Sequence, residues 1–237
     1  MNTKLKKMIF RILIAAKPGN SRRFRPDSMI PDEDSRLRGK TVIFLGSSVT
    51  YGFASRGCSF VEYLAAKDGI LPIKEAVNGT TLVTLDGSSY IPRMEQLPKT
   101  EKADAFVCQL STNDARLQLP LGQVSADFNR SSFERNTVAG AIEYIISYAS
   151  NTWHCPVVFY TGTVYDNEQY GKMVSLLHEI AKKWGITVID LWNNTGLNGI
   201  SDKQRKLYIL PDGVHPTMAG YRDWWMPAFE AGLESLF

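Results

Sequence analysis

The sequence predicts an α/β protein, a three-layer α/β/α sandwich in which a five-stranded, mostly parallel sheet lies between two layers of helices. Five short runs of apolar and β-branched residues alternate with longer segments of helical periodicity. The length of 237 residues suits a single α/β domain with a substantial core. Apolar residues form 44% of the chain and charged residues 22%, which are ordinary values for a globular protein.

The charge distribution divides the chain into a basic arm and a mildly acidic domain. Residues 1–40 contain eleven Lys and Arg against four Asp and Glu, a charge of +7, whereas residues 41–237 carry a charge of −4. We therefore predict an N-terminal arm over residues 1–40, a helix followed by a linker, and an α/β domain over residues 41–237. The acidic domain offers no electrostatic reason to expect a nucleic-acid partner.

The arm begins with a basic and apolar segment, residues 1–17. Its apolar run is too short to span a bilayer, which requires a helix of about 20 apolar residues. Lys17–Gly19 is a poor cleavage site for a signal peptide. We predict a helix that docks on the domain or on a second subunit of a homo-oligomer, with membrane-surface contact and secretion as less favoured alternatives. An irregular linker is expected over Pro18–Asp34. The apolar face of the helix consists of Leu5, Met8, Ile9, Ile12 and Ala16.

The first half of the domain contains three predicted strands and two predicted helices. Residues 41–45 and 103–110 are continuous apolar runs, typical of strands buried on both faces. Residues 73–77 form a shorter strand that ends at an Asn-Gly turn. Residues 59–67 have helical spacing and end before Asp-Gly, and residues 88–97 form a short helix with one proline near its start and another after it.

The second half contains three predicted helices and two predicted strands. Residues 132–149 and 168–184 each have an apolar stripe with helical spacing. The strands are residues 156–160 and 186–190, both apolar and β-branched. The closing helix, residues 216–236, carries two Trp and a Phe that should pack across the sheet beside the first strand.

The first predicted strand ends in Gly46, Ser47 and Ser48, which together indicate a sharp exit into a helix or turn. In open parallel sheets, ligands bind at the carboxyl ends of the strands. A helix that starts there also offers unpaired backbone N–H groups to a developing oxyanion. Ser48 is therefore the candidate nucleophile.

A serine nucleophile needs a base, usually a histidine that a carboxylate orients. The chain contains three histidines, and His215 follows Asp212 by three residues in a loop with Pro and Gly. One turn of backbone can bring this carboxylate to the imidazole, whereas His154 and His178 lack such a neighbour. Asp190, at the end of the fifth strand, is the rival acid, but it has no histidine at short spacing.

Two connections are expected to lie near this edge of the sheet. The long polar segment 115–130 is the expected place for a lid or rim that faces the substrate. Residues 161–166 leave the fourth strand at the same edge, and their side chains are expected to line the acyl or alcohol pocket.

Four short motifs, in this order along the chain, resemble the sequence blocks of the SGNH hydrolases, also called GDSL esterases and lipases. Ser47 stands where the first block of the family has Asp, and Ser111 stands where the third block has Gly. A single four-residue match is weak, but four in the right order form a strong signal. The segments that carry the resemblance are Gly46–Thr50, Asn78–Thr80, Ser111–Asp114 and Asp212–His215.

The resemblance implies a flavodoxin-like fold with strand order 2-1-3-4-5 and a role for five residues. It implies Ser48 as nucleophile, His215 as base and Asp212 as acid of a catalytic triad. It also implies an oxyanion hole made by the backbone N–H groups of Ser48 and Gly79 and by the side chain of Asn113.

No cofactor and no metal are expected. The three histidines are far apart in the sequence and no cluster has metal-ligand spacing. The Gly46–Ser48 segment also lacks the Gly and Lys of a phosphate-binding loop. Because the three cysteines, Cys58, Cys108 and Cys155, are odd in number, we expect reduced thiols and a cytoplasmic protein, with secretion left open.

These observations together predict a serine esterase that hydrolyses short-chain acyl esters, with acetyl esters of carbohydrates as the favoured substrates. The expected partner is thus a small ester or an acylated carbohydrate. Two alternatives remain at this point. The same triad serves an acyltransferase that passes the acyl group to an alcohol or a sugar, and the same fold serves a non-catalytic binding module.

Overall fold

A computed structural model describes Leu5, residues 12–100 and residues 102–237. Its centre is a five-stranded parallel sheet with the order β2 (Leu71–Ala76), β1 (Thr41–Gly46), β3 (Ala105–Gln109), β4 (Val157–Tyr160) and β5 (Thr187–Ile189), which confirms the predicted fold class. The pairing places Gly46 opposite Ala76 and Leu45 opposite Cys108, so the carboxyl ends of the three neighbouring strands meet at one edge.

Helices cover both faces of the sheet. One face packs against α3 (Tyr90–Glu95), α5 (Val138–Trp153) and α6 (Glu168–Trp184), and the other packs against α2 (Phe60–Asp68) and the closing helix, as the membership of the two core clusters shows. On the second face Phe60 stacks on Phe229 with 3.6 Å between ring centroids. The other helices are α1 (Ser48–Tyr51), α4 (Thr112–Arg116), α7 (Thr195–Asn198), α8 (Asp202–Tyr208), α9 (Met218–Gly220) and α10 (Met226–Glu234). A π-helical turn, Tyr221–Trp225, joins the last two.

Helix boundaries differ from the sequence prediction where capping decides them. The helix expected from residue 132 begins at Val138, because the Thr137 side chain accepts a hydrogen bond from the Gly140 N–H at 3.2 Å and so caps it there. The short helices α7 and α8 were not predicted. The side chains of α8 face mostly solvent, so this helix has no apolar stripe, and its one sequence signal is a capping box between Ser201 and Gln204.

The predicted linker packs closely on the domain. It contains three 3₁₀ turns, Pro18–Asn20, Arg22–Phe24 and Pro26–Ser28. The Phe24 ring is buried in the core cluster that also contains β1. Its carbonyl accepts a hydrogen bond from the Tyr63 hydroxyl at 2.6 Å. The linker is therefore irregular in backbone and fixed in position.

Residues 12–15 are helical, and Ile14 is buried against Ala54 and Leu210. Ile12 is exposed, although the expected apolar face includes it, so the docked face differs from the predicted one. Met8 and Ile9 of that face lie outside the described residues. No helix in the described part of the chain is long and apolar enough to cross a membrane.

The middle of the long connection 115–130 lies far from the carboxyl edge of the sheet. Helix α6 runs back from the carboxyl edge to the amino edge of the sheet, since it joins two parallel strands, and Lys183 is near its end. The Lys183 ammonium donates to the Ser125 carbonyl at 2.7 Å and also to the Asp127 carbonyl. The expectation of a substrate-facing lid is therefore wrong for this part of the connection.

Candidate active site

The exit of β1 places Ser48 at the carboxyl edge of the sheet. The backbone turns sharply at Ser47, and Ser48 begins α1, which ends at Gly52 with φ of 84°. Ser48 is 7% exposed, so its hydroxyl lies in a shielded position that solvent still reaches. This is the position that the sequence predicts.

The turn Ser47–Thr50, which carries Ser48, is held by Gln109, a residue that the sequence analysis missed. Its Oε1 atom accepts hydrogen bonds from the backbone N–H of Ser47 at 2.9 Å and of Thr50 at 3.2 Å. The Thr50 hydroxyl also donates to it at 2.8 Å. One sequence signal points to this role of Gln109, which is the single long polar side chain of the otherwise apolar strand β3. Because a buried polar group requires hydrogen-bond partners, such a residue is expected to hold a neighbouring segment.

Ser48, His215 and Asp212 form a continuous hydrogen-bonded chain. The Ser48 Oγ lies 2.8 Å from His215 Nε2, and His215 Nδ1 lies 2.8 Å from Asp212 Oδ2. Because a carboxylate only accepts hydrogen bonds, Nδ1 carries the proton and Nε2 is free to accept the Ser48 hydroxyl proton. This is the geometry of a nucleophile, a base and an orienting acid.

The Asp212 carboxylate is kept ionised by its own loop. Partial burial acts to raise the pKa of Asp212, but the hydrogen bond and charge of His215 and two backbone donors outweigh it, so this pKa is lower than usual. The donors are the N–H groups of Val214 at 2.9 Å and His215 at 3.1 Å, both to Oδ1. The turn is tight because Gly213 adopts φ of 69°.

The two remaining predicted oxyanion donors, Gly79 and Asn113, follow the neighbouring strands. Gly79 lies in the turn after β2 with φ of 84°, and its backbone is exposed. The Asn113 side chain donates to the Thr80 carbonyl at 3.0 Å, so it lies beside this turn. Ser111 caps α4 by accepting from the Asn113 N–H at 3.2 Å, a role that suits serine at this position.

Two buried charged residues brace the turn that carries Gly79. The Arg93 guanidinium donates from Nη2 to the Gly46 carbonyl at 2.9 Å and to the Thr80 hydroxyl at 3.0 Å, which ties the end of β1 to the turn. Asp114 accepts the N–H groups of Leu82 and Val83, each at 2.9 Å. Burial raises the pKa of Asp114, although the Ser111 hydroxyl and these N–H groups oppose the shift.

The rival acid Asp190 binds a different histidine. Its Oδ2 atom lies 2.8 Å from His178 Nε2 and accepts the Asn193 side-chain amide at 2.7 Å, and its Oδ1 accepts the Thr161 hydroxyl at 3.1 Å. The sequence gives His178 no aspartate at the spacing of Asp212 and His215, and the fold supplies Asp190 from twelve residues away. His154 ends α5 with φ of 51°.

Residues 161–166 line two spaces of different size. Thr163 borders a cavity of about 10 Å³ next to Val49 and Val214, which is room for about one water molecule. Val164 and Asp166 border an open groove of about 490 Å³ beside Asp212. The space next to Val49 and Val214, which adjoin Ser48 and His215 in the chain, is thus nearly filled by protein.

No group of His, Cys, Asp and Glu side chains in the described residues is arranged to hold a metal ion. The three cysteines are unpaired. Burial raises the pKa of Cys155 to about 11 and also raises that of Cys108, so both are held as neutral thiols.

A model of the GDSL-like lipase/acylhydrolase family matches residues 44–222. Among solved structures, a Lactobacillus plantarum protein has a TM-score of 0.70 at 20% identity, over 85% of this chain and 100% of its own. A Bacteroides ovatus protein described as a GDSL-like lipase has a TM-score of 0.62 at 15% identity, over 83% and 99%. An acetyl xylan esterase has a TM-score of 0.54 at 18% identity, over 83% and 100%. A sequence comparison with curated proteins finds no significant match.

Proposed function

This chain belongs to the GDSL-like lipase/acylhydrolase family and is therefore a hydrolase of ester bonds, and we propose that Ser48, His215 and Asp212 are its catalytic triad. The observation that carries the proposal is the chain of hydrogen bonds from Ser48 through His215 to Asp212, with both contacts at 2.8 Å. No other serine in the described residues hydrogen-bonds a histidine that is in turn bound by a carboxylate.

The proposed reaction is acyl transfer in two stages. His215 removes the proton from the Ser48 hydroxyl as its oxygen attacks the ester carbonyl carbon. The backbone N–H groups of Ser48 and Gly79 and the Asn113 amide stabilise the negative charge on the carbonyl oxygen. His215 then gives its proton to the leaving alcohol as the ester C–O bond breaks, which leaves the acyl group on Ser48. In the second stage His215 takes a proton from water, the water oxygen attacks the acyl carbonyl carbon, and His215 returns the proton to Ser48 as the acid leaves.

The proposed substrates are short acyl esters, with acetyl esters of carbohydrates favoured. The cavity next to Val49 and Val214, the chain neighbours of Ser48 and His215, measures about 10 Å³ and holds no long alkyl chain, which favours a short acyl group. The shared fold with an acetyl xylan esterase supports an acetylated sugar. Transfer of the acyl group to an alcohol in place of water is the competing outcome of the test.

The test is hydrolysis of p-nitrophenyl esters from acetate to octanoate by the wild type and Ser48→Ala. We expect turnover of acetate and butyrate, a loss of at least about 10⁴-fold in kcat in the variant, and an unchanged Tm. Labelling of Ser48 by a fluorophosphonate is expected in parallel. Undiminished hydrolysis by Ser48→Ala overturns the triad, and product formation that requires an alcohol acceptor indicates a transferase instead.

A further inference from the structure

The N-terminal arm, which lies outside the family-model match that begins at residue 44, reaches the catalytic edge. Its residue Ile14 is 7% exposed and packs with Ala54 and Leu210, the latter at the start of the loop that carries Asp212 and His215. The arm is therefore in contact with two segments that position the triad.

Hydrogen bonds fix the arm in this place. The buried Asn20 side chain donates to the Ile14 carbonyl at 2.8 Å and to the Ala54 carbonyl at 2.7 Å. Its oxygen accepts the Met218 N–H at 2.9 Å. The Arg56 guanidinium donates to the Ala15 carbonyl at 2.9 Å. These contacts join the arm, the segment after α1 and the start of α9 into one unit.

The docked arm forms one wall of an open groove of about 460 Å³. Ile14 and Ala15 line the groove from the arm, Tyr51 and Phe53 line it from the segment after Ser48, and Arg56 lines it while donating to the Ala15 carbonyl. Without the arm this side of the groove is open.

The groove adjoins the reacting groups at three points. Tyr51 is the last residue of the helix that Ser48 begins. The Phe53 ring lies 5.2 Å from the His215 ring, centroid to centroid. Asn78, which also lines the groove, immediately precedes Gly79. A substrate whose ester carbonyl lies at Ser48 is therefore within reach of the groove.

The lining has the chemistry of a sugar-binding site. Tyr51 is an aromatic residue that is 42% exposed, and an aromatic face packs well on the C–H face of a pyranose ring. Arg56 and Asn78 supply polar groups for ring hydroxyls, and pockets of this mixed composition are typical of small polar ligands.

We infer that residues 14 and 15 of the N-terminal arm are substrate-binding residues, and that the groove they complete holds the sugar of an acetylated oligosaccharide, the alcohol half of the ester. The inference rests on the proposed esterase function. It assigns to the arm a role in substrate specificity, in addition to its contacts with the fold.

The test compares Ala15→Trp, which fills the groove from the arm side, with Ala16→Trp on the adjacent exposed residue, which does not line the groove. The substrates are acetylated xylobiose, p-nitrophenyl acetate and p-nitrophenyl octanoate. We expect Ala15→Trp to lower the ratio of kcat/KM for acetylated xylobiose to that for p-nitrophenyl acetate at least tenfold, mainly through KM. Ala16→Trp should keep the wild-type ratio. Tyr51→Ala should lower the same kcat/KM ratio. If Ala15→Trp fails to fold, the ratio measured for Tyr51→Ala tests whether the groove binds the sugar.

The outcomes separate the inference from the function on which it rests. Wild-type ratios in both Ala15→Trp and Tyr51→Ala overturn the inference and leave the esterase intact. A loss on p-nitrophenyl octanoate as large as that on acetylated xylobiose also overturns it, because the groove then holds an acyl chain. A wild type that hydrolyses none of the three esters overturns the proposed function itself, and the inference with it.

Discussion

Two aspartate–histidine pairs lie at the same edge of the sheet with the same contact distance and different surroundings. Asp212 and His215 approach to 2.8 Å, and so do Asp190 and His178. In the first pair the other imidazole nitrogen contacts the Ser48 hydroxyl. In the described part of the chain, no hydroxyl or thiol hydrogen-bonds His178.

The surroundings also differ in exposure. The His215 side chain is 18% exposed, whereas that of His178 is 44% exposed. A partly shielded imidazole beside a nucleophile and oxyanion donors is able to direct proton transfer, because water does not compete for its hydrogen bonds. Both histidines are bound to a carboxylate, and the proposed base differs from His178 in that the fold brings a hydroxyl to its other nitrogen.

The largest expected difference between the pairs is at the histidines. His215→Ala should lower kcat for p-nitrophenyl acetate by at least about 10⁴-fold, because the Ser48 hydroxyl loses its base. His178→Ala should change kcat by less than about threefold, as is usual for an exposed side chain away from the chemistry. Steady-state kinetics on the two variants measure both values. Equal losses in the two variants contradict the assignment of His215.

The aspartates should differ by a smaller factor. Asp212→Asn should lower kcat by about 10⁴-fold at most, because an amide at this position favours the wrong tautomer of His215. Asp190→Asn should leave kcat within about threefold and lower the free energy of unfolding by about 1 kcal/mol, since the carboxylate of Asp190 binds His178, Asn193 and Thr161. Kinetics and urea denaturation separate the two effects. A catalytic loss in Asp190→Asn alone makes Asp190 the acid.

The smallest expected difference is at the two asparagines. Asn113→Ala should lower kcat by about 10²- to 10³-fold by removing one oxyanion donor. Asn193→Ala removes the amide that binds Asp190 and should leave kcat unchanged. Because Asn113 also holds the Thr80 carbonyl, the Tm of each variant is the control. A kcat of Asn113→Ala within about twofold of wild type removes Asn113 from the proposed oxyanion hole.

Much of the fold was predictable because its signals are local. The strand β1 and the helices α2 and α6 appear in the sequence as runs or stripes of apolar residues, and the structure places them within one or two residues of the predicted bounds. Helix α8 was not predictable in this way, since its side chains are mostly solvent-facing and leave no periodic pattern. The order of the strands came from the family resemblance, and periodicity alone does not contain it.

Local sequence is sufficient to predict the individual strands, the serine at the end of β1 and the closeness of Asp212 to His215, because each depends on residues within a few positions of one another. Which side chains meet across separations of twelve residues or more depends on the tertiary fold. Three examples are the contact of Gln109 with the Ser48 turn, the contact of Asp190 with His178, and the position of the arm beside the groove. These contacts depend on how the helices pack on the sheet, so no local sequence pattern predicts them.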